Sequence, residues 1–241
     1  MFRDGRLIVF LFTLILAQNT HAESLRLAVA ANFKSTLTSL VDAYQTSRPS
    51  DIEIIPGSTG ALTAQIIQGA PFHILFAADH LRPEELERRS LSRTRDTYAM
   101  GQLVFWTPGA VPKLDTFASP IAVANPRHAP YGLAAQQVLA KLKPTARLVY
   151  GNNVAQAFTF VQTGNVAGGF VSLAQVRDQN IPTEHYWLVP KRYHAPVTQQ
   201  FVVMKNAPES ADLFADWLMS PEAERLISDA GYLINTMGEH D

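Results

Sequence analysis

The chain repeats one local pattern of hydrophobic and polar positions: a short apolar run, a few small or polar residues, and then an amphipathic segment. Continuous apolar runs of this kind are typical of parallel strands that are covered on both faces. The amphipathic segments are typical of helices that pack on such a sheet. The pattern therefore predicts an α/β fold with a mostly parallel sheet. Four clear instances are Leu25–Val29 followed by Ala30–Asn32, Ile52–Ile55 followed by Gly57–Gly60, Ile121–Ala124 followed by Asn125–Gly132, and Leu148–Tyr150 followed by Gly151–Asn153.

The first helix of the series shows the helical period well. Its apolar stripe runs from Phe33 to Tyr44 in steps of three and four residues, and Asn32 before it is a good N-cap residue. Further strands are predicted at His73–Ala78, Gly101–Trp106, Gly169–Val171 and Phe201–Met204, and further helices at Gly132–Leu142, Val154–Thr163, Leu173–Asp178 and from Ser220 to Gly231.

The predicted elements form two successive α/β series without a polar linker between them. We therefore expect two lobes joined by a two-strand hinge. Residues 23–102 plus 203–241 are assigned to the first lobe and residues 103–202 to the second. Ligands of such sheets bind beyond the carboxyl ends of the strands, which is where the polar turns lie.

The polar turns themselves indicate what such a cleft could bind. The first turn of a helix has backbone N–H groups without intrahelical acceptors, and the helix dipole makes that end positive. One such turn is ordinary, but several that converge on one cleft form an anion site that needs no Lys or Arg.

The N-terminal residues have the pattern of a secretory signal peptide. Met1–Arg6 carries two arginines, Leu7–Ala17 is apolar apart from one threonine, and Thr20-His21-Ala22 is a small-x-small cleavage motif. We expect cleavage after Ala22 and export of the mature chain. A membrane anchor is the alternative, but the apolar run is shorter than the roughly 20 residues that a spanning helix needs.

Composition excludes several classes of function. The net charge of −1, with both signs well mixed, gives no basic surface for nucleic acid. The sequence has no cysteine, so disulfides cannot stabilise it. Its seven histidines include no pair at the spacing of a zinc site, so we expect no resident metal and no cofactor.

Several motifs together resemble the periplasmic molybdate-binding proteins (ModA) of ABC importers. They occur in the family's order and extend from about Leu25 to Ile234: AVAANF at 28–33, GSTGALTAQI at 57–66, GAP…FAAD at 69–79, VANPRHAPYG at 123–132 and GNNVAQAF at 151–158. The resemblance implies the type II periplasmic-binding-protein fold, capture of molybdate or tungstate in the cleft, and delivery to an ABC transporter permease. It also implies a periplasmic protein that is not an enzyme, and we expect a monomer.

The resemblance also implies ligand positions, which we transfer only to matching residues. Ser172 stands where some members carry a tyrosine whose hydroxyl reaches the oxyanion. His73 stands where an aspartate is usual, and we expect a local structural consequence there, with no change of ligand. The implied oxyanion-binding residues are Asn32, Ser58, Thr59, Tyr131, Val154 and Ser172.

Two other functions stay open at this point. A receptor of the same fold could bind another small oxyanion or an organic acid, although an organic acid is expected to meet an Arg clamp. A secreted hydrolase with Ser58 as nucleophile is the alternative from a different class. The run Gly57–Gly60 reads G-S-T-G, which is not the G-x-S-x-G nucleophile motif.

Overall fold

Residues 24–234, which the computed structural model describes, form two five-stranded sheets, each flanked by helices. The expected α/β class with two lobes is confirmed. The expected signal peptide at residues 1–22 and its cleavage after Ala22 lie outside the described residues. Within the described part of the chain, no helix is long and apolar enough to cross a membrane.

The first sheet has the strand order β2-β1-β3-β10-β4, in which β1, β2 and β3 are parallel and β10 is antiparallel to β3 and β4. We call this part lobe I. Its strands are β1 Leu25–Ala30, β2 Ile52–Gly57, β3 Ile74–Ala77, β4 Ser92–Gly101 and β10 Val197–Met204. Its helices are α1 Lys34–Ser47, α2 Thr59–Ile67, α3 Leu81–Arg88, α7 Glu209–Leu218 and α8 Pro221–Asp229.

The second sheet has the order β7-β6-β8-β5-β9, with β6, β7 and β8 parallel and β5 antiparallel to both its neighbours. We call this part lobe II. Its strands are β5 Leu103–Trp106, β6 Ile121–Ala124, β7 Leu148–Gly151, β8 Gly168–Ser172 and β9 Tyr186–Leu188. Its helices are α4 Pro130–Leu142, α5 Val154–Gln162 and α6 Leu173–Asp178.

The chain passes between the sheets at two places that lie side by side. It leaves lobe I at Gln102, between β4 and β5, and returns between β9 and β10. The lobe boundary that we expected at residue 203 falls inside β10, which pairs with β4 from Val197 onward. The polar residues that precede Phe201 concealed the first half of this strand.

Two edge strands, β4 and β9, were not predicted. The solvent-facing side of β4 carries arginines with ionic partners, such as Arg93 with Asp212 (2.6 Å) and Arg95 with Glu87 (2.9 Å). An edge strand with a polar outer face, such as β4, has no continuous apolar run, so the hydrophobic pattern does not reveal it. The other strand, β9, is apolar but only three residues long.

His73 replaces an expected acidic acceptor with a ring nitrogen. The backbone N–H of Arg26 donates to His73 Nδ1 at 3.0 Å, and the His73 N–H donates to the Arg26 carbonyl. The consequence is therefore local, at the junction between β1 and the start of β3.

Candidate functional site

A small cavity lies between the lobes where the starts of four helices meet. Its volume is about 10 Å³, far below the roughly 300–1,000 Å³ of sites for drug-sized ligands. Five of the six predicted residues line it, and all five are buried. The lining residues are Ala30, Ala31, Asn32, Gly57, Ser58, Thr59, Ala78, Ala129, Pro130, Tyr131, Asn153 and Val154.

The parallel strands place these turns side by side. The N–H of Ala31 continues the β1–β2 ladder by donating to Gly57, and the N–H of Asn125 continues the β6–β7 ladder by donating to Gly151. Gly132 lets α4 begin directly against β6, because a Cβ there would lie 2.2 Å from the carbonyl oxygen of Ala124.

Six of the lining residues, Ser58 and Asn153 among them, have a backbone N–H group without a protein acceptor in residues 24–234. The other four groups lie at or next to helix starts. They belong to Asn32, Thr59, Tyr131 and Val154. Thr59 and Val154 are the first residues of α2 and α5, and Tyr131 is the second residue of α4. A buried N–H without a partner lowers the stability of the fold by about 1–3 kcal/mol. An acceptor bound in the cavity would therefore be stabilised by these groups.

Two hydroxyl groups at the cavity provide further hydrogen-bond donors. The Ser58 hydroxyl caps α2 by accepting from the N–H of Ala61 at 3.4 Å. The Thr59 hydroxyl accepts from the N–H of Ala78 at 3.0 Å. A hydroxyl has one proton to donate, and within the described residues neither proton has an acceptor. Both are therefore available to a ligand.

Asn32 does not act as the N-cap that we predicted. Phe33 occupies the N-cap position of α1, without a side-chain bond. The Asn32 side-chain amide points into the protein, where Nδ2 donates to Gln199 Oε1 (3.0 Å) and to the Tyr232 hydroxyl (3.2 Å). Both amide protons are thus used, and Asn32 can offer a ligand its backbone N–H.

The Tyr131 hydroxyl also lies away from the cavity, on the hinge side. It accepts from Gln199 Nε2 at 3.3 Å. Burial raises the pKa of Tyr131 well above its ordinary value, and burial has the same effect on the pKa of Tyr98 and of Tyr232. All three phenols therefore stay neutral at every physiological pH. Tyr98 donates to Gln199 Oε1, Tyr131 accepts from Gln199 Nε2, and Tyr232 bonds to Asn32.

Sequence reasoning missed this polar cluster of Tyr98, Gln199 and Tyr232. Gln199 is fully buried in β10, although it precedes the apolar stretch by which that strand was recognised. In the sequence, the cluster is marked only by the pair Gln199-Gln200 next to an apolar run. Such a pair is also common at the exposed end of a strand, so it does not identify a buried site.

Ser172 is the predicted residue that does not line the cavity. It is the N-cap of α6 in a capping box: Ser172 Oγ accepts from the Gln175 N–H and donates to Gln175 Oε1 at 3.0 Å. Its proton, which an anion would need, is therefore used within lobe II.

No charged side chain is among the described residues that line the cavity. Asp79 lies near its rim and pairs with Arg82 at 2.6 Å. In the part of the chain that the structure describes, no group of three or more His, Asp or Glu side chains could hold a metal ion. The site can therefore bind an anion through hydrogen bonds and helix dipoles, without an ionic partner.

The lobes touch beside the cavity. The N–H of Gly60 in α2 donates to the carbonyl of His128 in lobe II at 2.9 Å. Arg82 Nη2 donates to the carbonyl of Arg127 at 3.3 Å. Arg127 and His128 have exposed side chains, but their backbone closes one side of the cavity.

The chain is similar to known proteins over nearly its full length. The sequence model of the bacterial extracellular solute-binding protein family matches residues 25–233. The molybdate-binding protein ModA of Azotobacter vinelandii is 37% identical, with 96% of this chain and 98% of the relative covered. ModA of Rhodobacter capsulatus is 34% identical, with 86% of each chain covered. The solved structure of the A. vinelandii periplasmic molybdate-binding protein superposes with a TM-score of 0.82 at 35% identity, covering 88% of this chain and 99% of that one.

Proposed function

Because the chain belongs to the ModA family of bacterial extracellular solute-binding proteins, we propose that it captures molybdate or tungstate between its lobes and delivers the anion to an ABC transporter. The ligand is a cargo that is bound and released, and no chemical step takes place. The protein acts in the periplasm as a monomer, and its partner is the membrane permease.

One observation carries the proposal. The helix starts of both lobes place backbone N–H groups without protein acceptors around one small cavity. No charged side chain is among the described residues that line this cavity. The proposed ligand contacts are the N–H groups of Asn32, Thr59, Tyr131 and Val154 and the hydroxyls of Ser58 and Thr59. Ser172 has no direct role in this proposal, because Gln175 already uses its hydroxyl.

This donor set matches the needs of a small dianion. An anion that leaves water loses a large hydration energy, so each of its oxygens must find hydrogen bonds in the site. A hydrogen bond to a charged group contributes about 1.5–3 kcal/mol net. Six such bonds, helped by the positive ends of helices, offset that loss without a Lys or Arg.

The lack of a carboxylate distinguishes among oxyanions. Molybdate, tungstate and sulfate are fully deprotonated at neutral pH, whereas hydrogen phosphate keeps a proton that needs an acceptor. No Asp or Glu is among the described residues of the cavity. A buried donor without a partner costs about 1–3 kcal/mol, so phosphate binds more weakly.

The two alternatives fit the cavity less well. An organic acid would need more room and a cation, and neither is present in the described lining of the cavity. A hydrolase would need a base beside Ser58, but the described lining holds no His, Asp or Glu. The Ser58 oxygen serves as a helix cap.

Calorimetric titration of the purified, ligand-stripped protein tests the proposal. We expect molybdate and tungstate to bind with similar dissociation constants, micromolar or tighter, and sulfate to bind about a hundredfold more weakly. Metal–oxygen bonds are longer than sulfur–oxygen bonds, so a rigid cavity that fits one ion leaves gaps around the other. Sulfate that competes on equal terms with molybdate would contradict the proposal.

A further inference from the structure

Gln199 lies at the centre of a buried polar cluster directly behind the cavity. Its side chain is fully buried. Its Oε1 accepts from Asn32 Nδ2 at 3.0 Å and from the Tyr98 hydroxyl at 2.9 Å, and its Nε2 donates to the Tyr131 hydroxyl at 3.3 Å. The side chain thus has three hydrogen bonds, although it is fully buried.

These bonds connect the two lobes. Asn32 and Tyr98 belong to lobe I, as does Gln199 itself, whereas Tyr131 belongs to α4 of lobe II. Asn32 and Tyr131 are also two of the residues whose backbone N–H groups face the cavity. Gln199 therefore links the Asn32 turn of lobe I to the start of α4 in lobe II through hydrogen bonds. We call this link the cross-lobe tie.

The backbone beside the hinge leaves room for this tie. Gly101 ends β4, one residue before the chain crosses to lobe II. A Cβ at Gly101 would lie 2.2 Å from the Tyr131 hydroxyl and 2.6 Å from Gln199 Nε2. A residue with a side chain would displace the Tyr131–Gln199 hydrogen bond, so the glycine is an independent sign that this position is reserved for it.

We propose that Gln199 is a positioning residue for ion selection: it fixes the spacing between the Asn32 turn and the start of α4, and so the size of oxyanion that the closed cavity accepts. This inference rests on the proposed function. A cavity discriminates between ions of equal charge and shape by size alone, and only if its walls are held at a fixed distance. The cross-lobe tie supplies that rigidity on the hinge side.

Two pairs of variants test the role, with the molybdate and sulfate affinities measured by calorimetry and the free energy of unfolding by urea titration. Gln199→Leu removes the whole tie, and Gln200→Leu is its control because Gln200 bonds within lobe I, to Thr97. Tyr131→Phe removes the lobe II end, and Tyr98→Phe is its control because Tyr98 bonds to Gln199 without crossing the lobes.

We expect Gln199→Leu and Tyr131→Phe to lower the ratio of molybdate to sulfate affinity about tenfold. Molybdate fits the wild-type cavity and its hydrogen bonds lengthen when the spacing changes, whereas sulfate already has gaps around it and is affected less. The controls lower stability but keep the wild-type ratio. In Gln199→Glu the carboxylate can accept from all three partners, while its charge repels a dianion. Both affinities fall in that variant and the ratio is retained.

Unchanged ratios in Gln199→Leu and Tyr131→Phe would overturn the inference, as would equal changes in the controls. If Gln199→Leu does not fold, Tyr131→Phe alone decides. Wild-type protein that fails to bind molybdate would instead contradict the proposed function, so the two failures are distinguishable.

Discussion

Single residues at the cavity combine a structural bond with a free donor on the same atom. The Ser58 hydroxyl uses a lone pair to cap α2 and keeps its proton for a ligand, and the Thr59 hydroxyl does the same at the end of β3. The protein thereby orients each proton before a ligand arrives. Preorganised donors do not have to be rearranged on binding, and this is how neutral groups can hold a dianion tightly.

The chain offers a matched control for the role of Ser58. Ser220 caps α8 with the same geometry, since each serine oxygen accepts from the N–H three residues on at 3.4 Å, but Ser220 is not among the residues of the cavity. We expect Ser58→Ala and Ser220→Ala to lower the free energy of unfolding alike, by about 0.5–2 kcal/mol.

Only Ser58→Ala is expected to weaken binding, by about tenfold or more and equally for molybdate and tungstate, because it removes a donor without changing the size of the cavity. Calorimetric titration and urea unfolding of both variants check this. Equal affinities in the two variants would show that Ser58 is only a helix cap.

The sequence was sufficient to predict donors that belong to a local turn and insufficient for those fixed by distant partners. Ser58, Thr59 and Val154 lie at helix starts that follow apolar strands, and each lines the cavity. The side chain of Asn32 is oriented by Gln199, which is far away in sequence. Spacing and propensity carry no information about such a pair, so the predicted N-cap was wrong.

At the scale of elements, the contact between α2 and the loop before α4 controls how closely the lobes approach. Gly60 lies in the first turn of α2, and a Cβ there would be 3.1 Å from both Cα and O of His128. That is closer than Cβ atoms normally come to other atoms. The glycine is therefore explained by the approach of the other lobe and not by any need of the helix, which would favour alanine by about 1 kcal/mol.

Gly60→Ala separates closure from stability. We expect the ligand-free variant to be at least as stable as the wild type, while its molybdate affinity falls several-fold because the added methyl group holds the lobes a few tenths of an ångström apart. Thermal unfolding without ligand and calorimetric titration measure the two effects. Wild-type affinity in this variant would show that the loop yields and that the contact does not limit closure.

The strands were predictable where the sequence has a continuous apolar run of four or more residues or a clear strand–turn–helix pattern. The bounds of β1 and β6 follow directly from their apolar runs, since both lie in the interior of a sheet. The edge strand β4 has polar residues along its outer face, which leave little trace in the hydrophobic pattern. The edge strand β9 is apolar but only three residues long, well short of a typical strand of about five or six residues.

At the scale of the whole molecule, the donors are divided between two bodies that the chain connects at two adjacent crossings. Asn32, Ser58 and Thr59 lie on lobe I, and Tyr131 and Val154 lie on lobe II. Neither lobe can surround an ion alone. A ligand that needs donors from both therefore stabilises the closed arrangement over any open one, by as much free energy as its hydrogen bonds to the second lobe contribute.

This division predicts a change in overall size on binding. The structure is closed, with the Gly60–His128 and Arg82–Arg127 bonds formed across the cleft. Without ligand, the closed cavity has no protein acceptor for these N–H groups and hydroxyls within the described residues, which favours opening so that water can reach them. We expect small-angle X-ray scattering to give a smaller radius of gyration with saturating molybdate than without it.

The same comparison with sulfate at the same concentration should leave a larger fraction of molecules open. Equal radii with and without molybdate would mean that the cavity is a static pocket, and closure could not then contribute to signalling the loaded state to a permease.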